Sequence, residues 1–178
     1  MKTIIQSIRA LLVFTVLTGA LYPLVITLAA YAFPAKANGS LITVDGKTVG
    51  STLFAQKTEG PRYFWPRPSG AEFATVASGA SNKGPTSADL VKAIAERRAK
   101  FGADAPAEMI AASGSGLDPH ISPEAAQQQV ARVASERKIP AEKVTALVAQ
   151  HTEAPQFGIF GEPRVNVLTL NLALDAIR

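Results

Sequence analysis

The stretch that decides the architecture of this chain is residues 10–35, ALLVFTVLTGALYPLVITLAAYAFPA, which lie between Arg9 and Lys36 and carry no charge. A helix rises about 1.5 Å per residue, so this stretch is longer than the roughly 30 Å of a bilayer's hydrocarbon core requires. From Leu11 to Phe33 it is rich in Leu, Ile, Val and Phe. Each of these side chains favours insertion by about 0.3 to 0.6 kcal/mol. The sequence therefore predicts a single N-terminal transmembrane helix.

A cleaved secretory signal is the alternative interpretation of the same segment. Lys2 and Arg9 form a basic N-terminal region, and residues 30–32 (AYA) and 35–37 (AKA) resemble cleavage sites. The apolar core of a signal usually runs for about 7 to 15 residues, and this one is longer. The length favours a retained anchor over the release of a secreted periplasmic binding domain or hydrolase after either tripeptide.

One face of the predicted helix is a candidate contact with a partner. Thr15, Gly19 and Pro23 recur every four residues and therefore share that face. Small side chains allow a second helix to approach closely, although Gly and Pro are common in membrane helices in general. The weak excess of basic residues before the helix favours an N-terminus in the cytoplasm and a domain outside it.

The composition limits the role of the chain beyond the anchor. We assign residues 1–36 to a cytoplasmic tail and the transmembrane helix, and residues 37–178 to one extracytoplasmic domain. The chain has 18 basic and 14 acidic residues, and no segment gathers the basic ones, so nucleic acid is not an expected partner. Because the chain has no cysteine, disulfides, thiol catalysis and cysteine-ligated zinc are excluded.

The pattern of residues 37–178 predicts one α+β soluble domain with a small sheet. Asp45 and Gly46 join two β-prone runs and suit a type I′ hairpin turn. Thr86 and Asp89 have the spacing of a capping box, and Ser122 suits the cap of a later helix. The expected elements are helices over residues 86–102, 122–138 and 141–151, and a short strand near residues 165–167 followed by a final helix.

Side chains suited to catalysis are few. The chain has neither a Gly-x-x-x-x-Gly-Lys-Ser/Thr phosphate loop nor a Gly-x-Ser-x-Gly elbow, and His120 and His151 lack metal-site spacing. Asp118 and His120 with Ser113 or Ser115 suggest a catalytic triad. The simpler interpretation is that these side chains satisfy backbone donors where a loop enters a helix. The residues alone indicate a non-catalytic, membrane-anchored domain with no tightly bound cofactor.

An aromatic run supplies the candidate contacts of the domain. Tyr63, Trp65 and Arg67 lie in the segment YFWPR, whose side chains suit a grip on a partner subunit or stacking on a base or sugar. More often, a cluster of this kind is part of the domain core.

Several long motifs occur in a family order. They are YFWPRPS at 63–69, SGASN at 78–82, GPT at 84–86, ASGSGLDPHIS at 112–122 and GEPRVNV at 161–167. Together with the apolar helix they resemble the C subunit of the bacterial Kdp potassium-transporting ATPase, over nearly the whole chain. The sequence departs from the family pattern at two places. An aliphatic–Gly pair is expected where Phe54 and Ala55 stand, and a Gly is expected where Pro66 stands.

The resemblance implies an ATP-driven complex of the bacterial inner membrane. In it a channel-like subunit binds potassium, a P-type subunit hydrolyses ATP through a phosphorylated aspartate, and a one-helix subunit assists assembly. The C subunit would be an accessory protein, needed for assembly and activity, and a catalytic chaperone that raises the ATP affinity of the P-type subunit in a transient complex with nucleotide.

The resemblance also assigns a nucleotide contact to Gln150, whereas the residues alone indicate an exposed position near a helix end. A domain outside the membrane cannot reach cytoplasmic ATP. The orientation predicted above therefore implies that the domain acts elsewhere, for example beside the potassium entrance. Any effect on ATP affinity would then be transmitted through the membrane helices.

Overall fold

The computed structural model describes residues 1–177, which divide into two units, Met1–Leu41 and the chain from Ile42 onward. The first unit is helical. It contains α1 (Lys2–Val16), a π-helical turn (Leu17–Leu21), α2 (Tyr22–Ala30) and the short α3 (Pro34–Ala37).

The helical run Lys2–Ala30 is long and apolar enough to cross a membrane. It has 29 residues, a mean hydropathy of 2.2 in its most apolar window, and none of that window is buried within the protein. An uncovered apolar surface of this size requires lipid or another protein around it. By length and composition the run fits the predicted transmembrane helix, and a signal sequence would meet the same criteria.

The π-helical turn Leu17–Leu21 is explained by Pro23. A proline has no N–H to donate, and its ring clashes with the carbonyl four residues earlier, which here belongs to Gly19. A wider turn relieves such a clash, and here the Tyr22 amide donates to the carbonyl of Leu17, five residues back. The helix face that carries Gly19 and Pro23 therefore combines small side chains with an irregular backbone.

The second unit is an α+β domain, as predicted, with two small antiparallel sheets. A hairpin of β1 and β2 forms one sheet, and β3, β5 and β4 form the other in that order. In the second sheet, His120 pairs with Asn166 and Thr152 with Val165. The elements are β1 (Leu41–Val44), β2 (Lys47–Ser51), α4 (Ala88–Phe101), α5 (Ala107–Ile110), β3 (His120–Ile121), α6 (Pro123–Arg137), α7 (Ala141–Gln150), β4 (Thr152–Glu153), β5 (Arg164–Asn166) and α8 (Val167–Asp175).

Local sequence explains most boundaries of these elements. Asp45 and Gly46 both have positive φ, at 49° and 76°, which confirms the type I′ turn between β1 and β2. The Ser122 hydroxyl accepts from the amide of Ala125 and caps α6 as predicted. The predicted start of α4 at Thr86 is wrong, because Ser87 is the residue whose hydroxyl caps the helix.

The core lies among α6, α7, α8 and the three-stranded sheet. Leu147 on α7 and Val91 on α4 each have the helical spacing of a core position. In the structure Leu147 is only half-buried and Val91 is exposed. The largest fully buried side chains are Phe64, Met109, Ile121, Leu170, Leu174, Val133, Val144 and Val165. Phe64 belongs to the aromatic run, so part of that run is core.

Candidate functional site

The aromatic run has an irregular backbone that a side chain of α8 holds in place. The Phe64 amide donates to Asn171 Oδ1 at 2.8 Å, and Asn171 Nδ2 donates to the Phe64 carbonyl at 2.9 Å. Both Phe64 and Asn171 are buried. A buried backbone group without a partner costs free energy, so this pair of bonds permits the segment to cross the core without a neighbouring strand.

A second amide, on α6, repeats the arrangement at the next residue. The Trp65 amide donates to Gln129 Oε1 at 2.8 Å, and Gln129 Nε2 donates to the Trp65 carbonyl at 3.1 Å. Gln129 is also buried. Consecutive residues of the run are thus fixed by two amides from different helices, and no motif in the sequence marks either amide.

Two arginines of α6 bind carbonyls at the start of the run and in the two residues before it. Arg132 donates to the carbonyls of Pro61 and Tyr63, and Arg137 donates to the carbonyl of Arg62 at 2.8 Å. Three consecutive carbonyls, at residues 61–63, therefore accept hydrogen bonds from side chains of α6.

Trp65 lies between cations and another ring. Its ring centroid is 3.6 Å from Arg132 Cζ, 4.0 Å from Lys100 Nζ and 5.6 Å from the Phe101 ring, which it meets edge-on. Burial lowers the pKa of Arg132 to about 10, and burial followed by repulsion from Arg132 lowers the pKa of Lys100. The helical pattern of α4 places Lys100 toward solvent, and the residue is exposed there, but its ammonium also packs on Trp65.

Tyr63 borders an open cleft beside α8. Its hydroxyl donates to Asp175 Oδ2 at 3.3 Å, and the Arg137 guanidinium lies 4.8 Å from its ring centroid. Arg137 also forms an ion pair with Asp175. The cleft has a volume of about 250 Å³ and includes polar groups of Gln56, Lys57, Thr58, Glu59, Asn171 and Asp175 in its lining.

Arg67 extends in another direction, toward the loop before α6. Its Nη1 donates to Asp118 Oδ2 at 2.9 Å, while its Nε is buried and has no partner within residues 1–177. Asp118 Oδ1 accepts from the backbone amide of His120 at 3.0 Å. Arg67 is thus linked through Asp118 to His120. Tyr63 and Trp65 contact different residues, in α6, α8 and the chain before the run.

The residues that suggest a catalytic triad do not form one: His120 Nδ1 lies 3.9 Å from Asp118 Oδ1, but the serine hydroxyls bind groups other than His120. The hydroxyls of Ser113 and Ser115 lie 3.2 Å apart, and the Ser115 hydroxyl accepts from the Leu117 amide. Asp118 binds a backbone amide, as the simpler interpretation expects. Among residues 1–177, no three His, Asp or Glu residues are grouped as metal ligands would be.

Residues 78–84 and 113–120 form two loops rich in Gly and Ser, the two Gly/Ser loops, which pack against each other beside Arg67. The Ser113 amide donates to the Pro68 carbonyl at 2.8 Å. Gly116 has a φ of 71°, and a Cβ there would lie 2.8 Å from the Gly79 carbonyl oxygen, so only glycine fits. This contact brings the motifs at 63–69, 78–82 and 112–122 onto one continuous region of the domain.

Gln150 is the last residue of α7 and is exposed, as its position near a helix end indicates. It does not line the cleft beside Tyr63. The next residue, His151, has a buried Nδ1 without a hydrogen-bond partner in the described chain. A contact between Gln150 and a nucleotide stays a prediction.

Comparison with known proteins decides the family. The family profile described as KdpC, the c chain of the K⁺-transporting ATPase, matches residues 4–176. This chain belongs to the KdpC family. The match includes both the apolar helix and the domain, and it confirms the resemblance that the sequence motifs indicate.

Relatives of this KdpC-family chain carry the name potassium-transporting ATPase KdpC subunit. The one from Gemmatimonas aurantiaca is 53% identical over 97% of this chain and 94% of the relative. Those from Dechloromonas aromatica and Geobacter sulfurreducens are 50% and 49% identical, each over 99% of both chains. These relatives, matched over nearly their whole length, agree with the family that the profile identifies.

The amide bridge to Phe64 generates the first prediction. Asn171→Leu leaves a buried amide and a buried carbonyl of Phe64 unpaired, at about 1–3 kcal/mol for each group. We expect the free energy of unfolding to fall by at least about 2 kcal/mol, and the fluorescence of Trp65, the only tryptophan, to shift toward longer wavelength before global unfolding.

Gln127→Leu is the matched control, because Gln127 is an exposed amide on the same domain. It should change the free energy of unfolding by no more than about 0.5 kcal/mol. Equal effects of the Asn171 and Gln127 variants in denaturant titration would contradict the structural role of the bridge.

His120 generates a prediction about pH. Burial, and then the positive charge of Arg164, lowers the pKa of His120 below its usual value, and this outweighs the opposite effect of Asp118 and Glu153. The unfolded chain therefore binds more protons below about pH 6.5, and the folded state loses stability as the pH falls through that value toward the lower folded pKa.

Because His120→Gln removes this titration, we expect a smaller difference in the free energy of unfolding between pH 7 and about pH 5.5 than in the unmodified chain. Denaturant titrations at both pH values measure the difference. An identical pH dependence in the two proteins would show that His120 has no lowered pKa.

Proposed function

We propose that this chain is a non-catalytic accessory subunit of an ATP-driven, high-affinity potassium uptake complex, needed for its assembly and activity. The family match over residues 4–176 is the observation that carries the proposal. Its partners are a channel-like potassium-binding subunit, a P-type subunit that hydrolyses ATP, and a small one-helix subunit. The described domain supports the non-catalytic part of the proposal, because its motif residues are occupied in hydrogen bonds and ion pairs of the fold.

The proposed location is the bacterial inner membrane, crossed once, with the N-terminus in the cytoplasm and the domain in the periplasm. The family profile begins at residue 4 and therefore includes the apolar helix, which supports a retained anchor over a cleaved signal. Lys2 and Arg9 precede the helix and favour this orientation.

Within the membrane, we assign the contact with a partner helix to Thr15, Gly19 and Pro23. Apart from its chain neighbours and the helix's own backbone, no heavy atom lies within 4 Å of the position where a Gly19 Cβ would be, so this part of the helix is open to an approaching neighbour. The π-helical turn beside it supports the assignment, because such turns are frequent at functional positions.

Outside the membrane, Tyr63, Trp65 and Arg67 remain candidate subunit contacts through their exposed edges. All three are only partly buried, although each has partners within the domain. We propose that they act chiefly by fixing the surface formed by the two Gly/Ser loops, since Arg67 binds Asp118 in one of them.

The family's described effect on ATP affinity is the second part of the proposal. With the domain outside, this chain would raise the ATP affinity of the P-type subunit through a coupling free energy of about 1–3 kcal/mol, which corresponds to about 5- to 150-fold. A transient ATP complex that contacts Gln150 directly requires the domain to be in the cytoplasm.

The orientation predicts the labelling of introduced cysteines, since the chain has none of its own. Ser81→Cys and Gln150→Cys place thiols at exposed positions of the domain. We expect a membrane-impermeant maleimide to label both in intact cells. Thr3→Cys, near the N-terminus, is the control that should be labelled only after permeabilisation.

Protection of Ser81→Cys and Gln150→Cys until permeabilisation would overturn the orientation and place the domain beside cytoplasmic ATP. The mass of the chain in the membrane fraction tests the anchor in the same cells. A mature chain that begins after residue 32 or 37 would identify a cleaved signal.

The indirect effect on ATP predicts that Gln150→Ala leaves the KM for ATP of the purified complex within about twofold of the unmodified value. The P-type subunit without this chain should bind ATP about 5- to 150-fold more weakly, measured as a Kd by equilibrium titration. Lys143→Ala, at another exposed position of α7, is the matched control. A raised KM for Gln150→Ala but not for Lys143→Ala would establish a direct nucleotide contact.

A further inference from the structure

Residues 154–161, APQFGIFG, form an uncharged loop between β4 and β5, which we call the apolar loop. Its largest side chains face outward: Phe157 is 87% exposed, Ile159 79% and Phe160 65%. No recognised motif marks residues 154–160, and Gly161 begins the GEPRVNV motif. The available signal is the spacing of two phenylalanines and an isoleucine among glycines, but a run of this kind is equally typical of a domain core.

The apolar loop has a defined conformation. The amides of Gln156 and Phe160 donate to each other's carbonyls at 2.8 and 2.9 Å, and the Gly158 amide donates to Pro155 at 2.9 Å. Phe157 has a φ of 55°, which a bulky side chain rarely adopts. The loop thus satisfies its own backbone and holds a strained residue while its apolar side chains meet solvent, an arrangement that is pre-organised for binding.

The exposed area of the apolar loop is large for a domain of this size. An aromatic side chain offers roughly 150–250 Å² for burial, so Phe157, Ile159 and Phe160 together present on the order of 400 Å². This equals the largest apolar patch of a typical monomer, and such patches commonly mark interaction sites. Elsewhere in the domain, Val76 and Val91 are exposed singly and need no such explanation, and the adjacent pair Leu53 and Phe54 is less exposed, at 52% and 45%.

The charges beside the apolar loop identify the kind of partner. Arg164, the nearest cation after the loop along the chain, is bound to Glu153 by contacts of 2.9 and 3.0 Å. Glu162 is exposed and forms no ion pair within residues 1–177. Along the chain, the loop is therefore flanked by one negative charge without an ion-pair partner in the described residues and by no cation that is free of one. Anionic lipid surfaces attract loops with free Lys or Arg and repel this one.

We propose that the apolar loop docks into an apolar groove on another subunit of the potassium-transporting complex, with a cation on the rim of that groove facing Glu162. The proposal rests on the function proposed above and names the surface that performs it. Phe157 and Ile159 are the anchoring side chains, since binding energy concentrates in a few apolar anchors that fill pockets.

Site-specific crosslinking tests the partner directly. Ile159→Cys, labelled with a benzophenone maleimide in membranes that contain the whole complex, is expected to crosslink to another subunit. Val91→Cys, on the exposed face of α4, is the control and should give at least about tenfold less adduct. Adducts with lipid alone, or equal protein adducts from both positions, would overturn the proposal.

Substitution tests the contribution of the apolar loop to assembly. Phe157→Asn suits a positive φ and removes the ring, and Ile159→Ser removes the second anchor without disturbing the core. The double variant should reduce co-purification of the partner subunits by at least about tenfold, with an unchanged unfolding transition. Val91→Gln, the control, should leave co-purification unchanged.

Co-purification of the unmodified chain distinguishes a failure of the proposed function from a failure of the docking site assigned to the apolar loop. If it fails to co-purify with any other subunit, the proposed function is wrong. If it co-purifies, while the double variant co-purifies equally and Ile159→Cys gives no protein adduct, only the assignment of the apolar loop is wrong.

Discussion

Two side-chain amides replace the strand that the Phe64–Trp65 backbone lacks. Asn171 from α8 and Gln129 from α6 each accept from one backbone amide and donate to the carbonyl of the same residue. Without them, four polar backbone groups in or beside the core would lose their partners. The burial of Phe64, and with it the junction between α6 and α8, depends on these two side chains.

The same junction explains why the basic residues of α6 lie where they do. Arg132 binds the carbonyl of Tyr63 and Arg137 that of Arg62, the residue before the run. Their guanidinium groups pack on the rings of Trp65 and Tyr63, respectively. Arginine suits this position, because its planar group donates several hydrogen bonds and stacks on aromatic faces at once. Cations that a helical pattern assigns to solvent are therefore part of the packing.

Patterns among neighbouring residues predict most of the fold, but they do not predict contacts between residues far apart in the chain. The apolar length of residues 10–35, the turn at Asp45 and the cap at Ser122 each depend on a few neighbouring residues, so the sequence reveals them. The partners of Gln129 and Asn171 lie 64 and 107 residues away, and no spacing along the chain indicates them. The α4 boundary differs from its prediction because Thr86 and Ser87 are both good caps, and tertiary context selects one.

The rings of Tyr63 and Trp65 are partly buried, whereas those of Phe157 and Phe160 are exposed. This difference changes where an interface is expected. The sequence motif directs attention to Tyr63 and Trp65, yet the domain uses both rings to bind its own cations. The rings at Phe157 and Phe160 have no comparable cover, although their backbone is as firmly hydrogen-bonded. Because burying exposed rings on a pre-ordered loop costs little conformational entropy, the apolar loop has more binding free energy to offer a partner than the run with the more conspicuous motif.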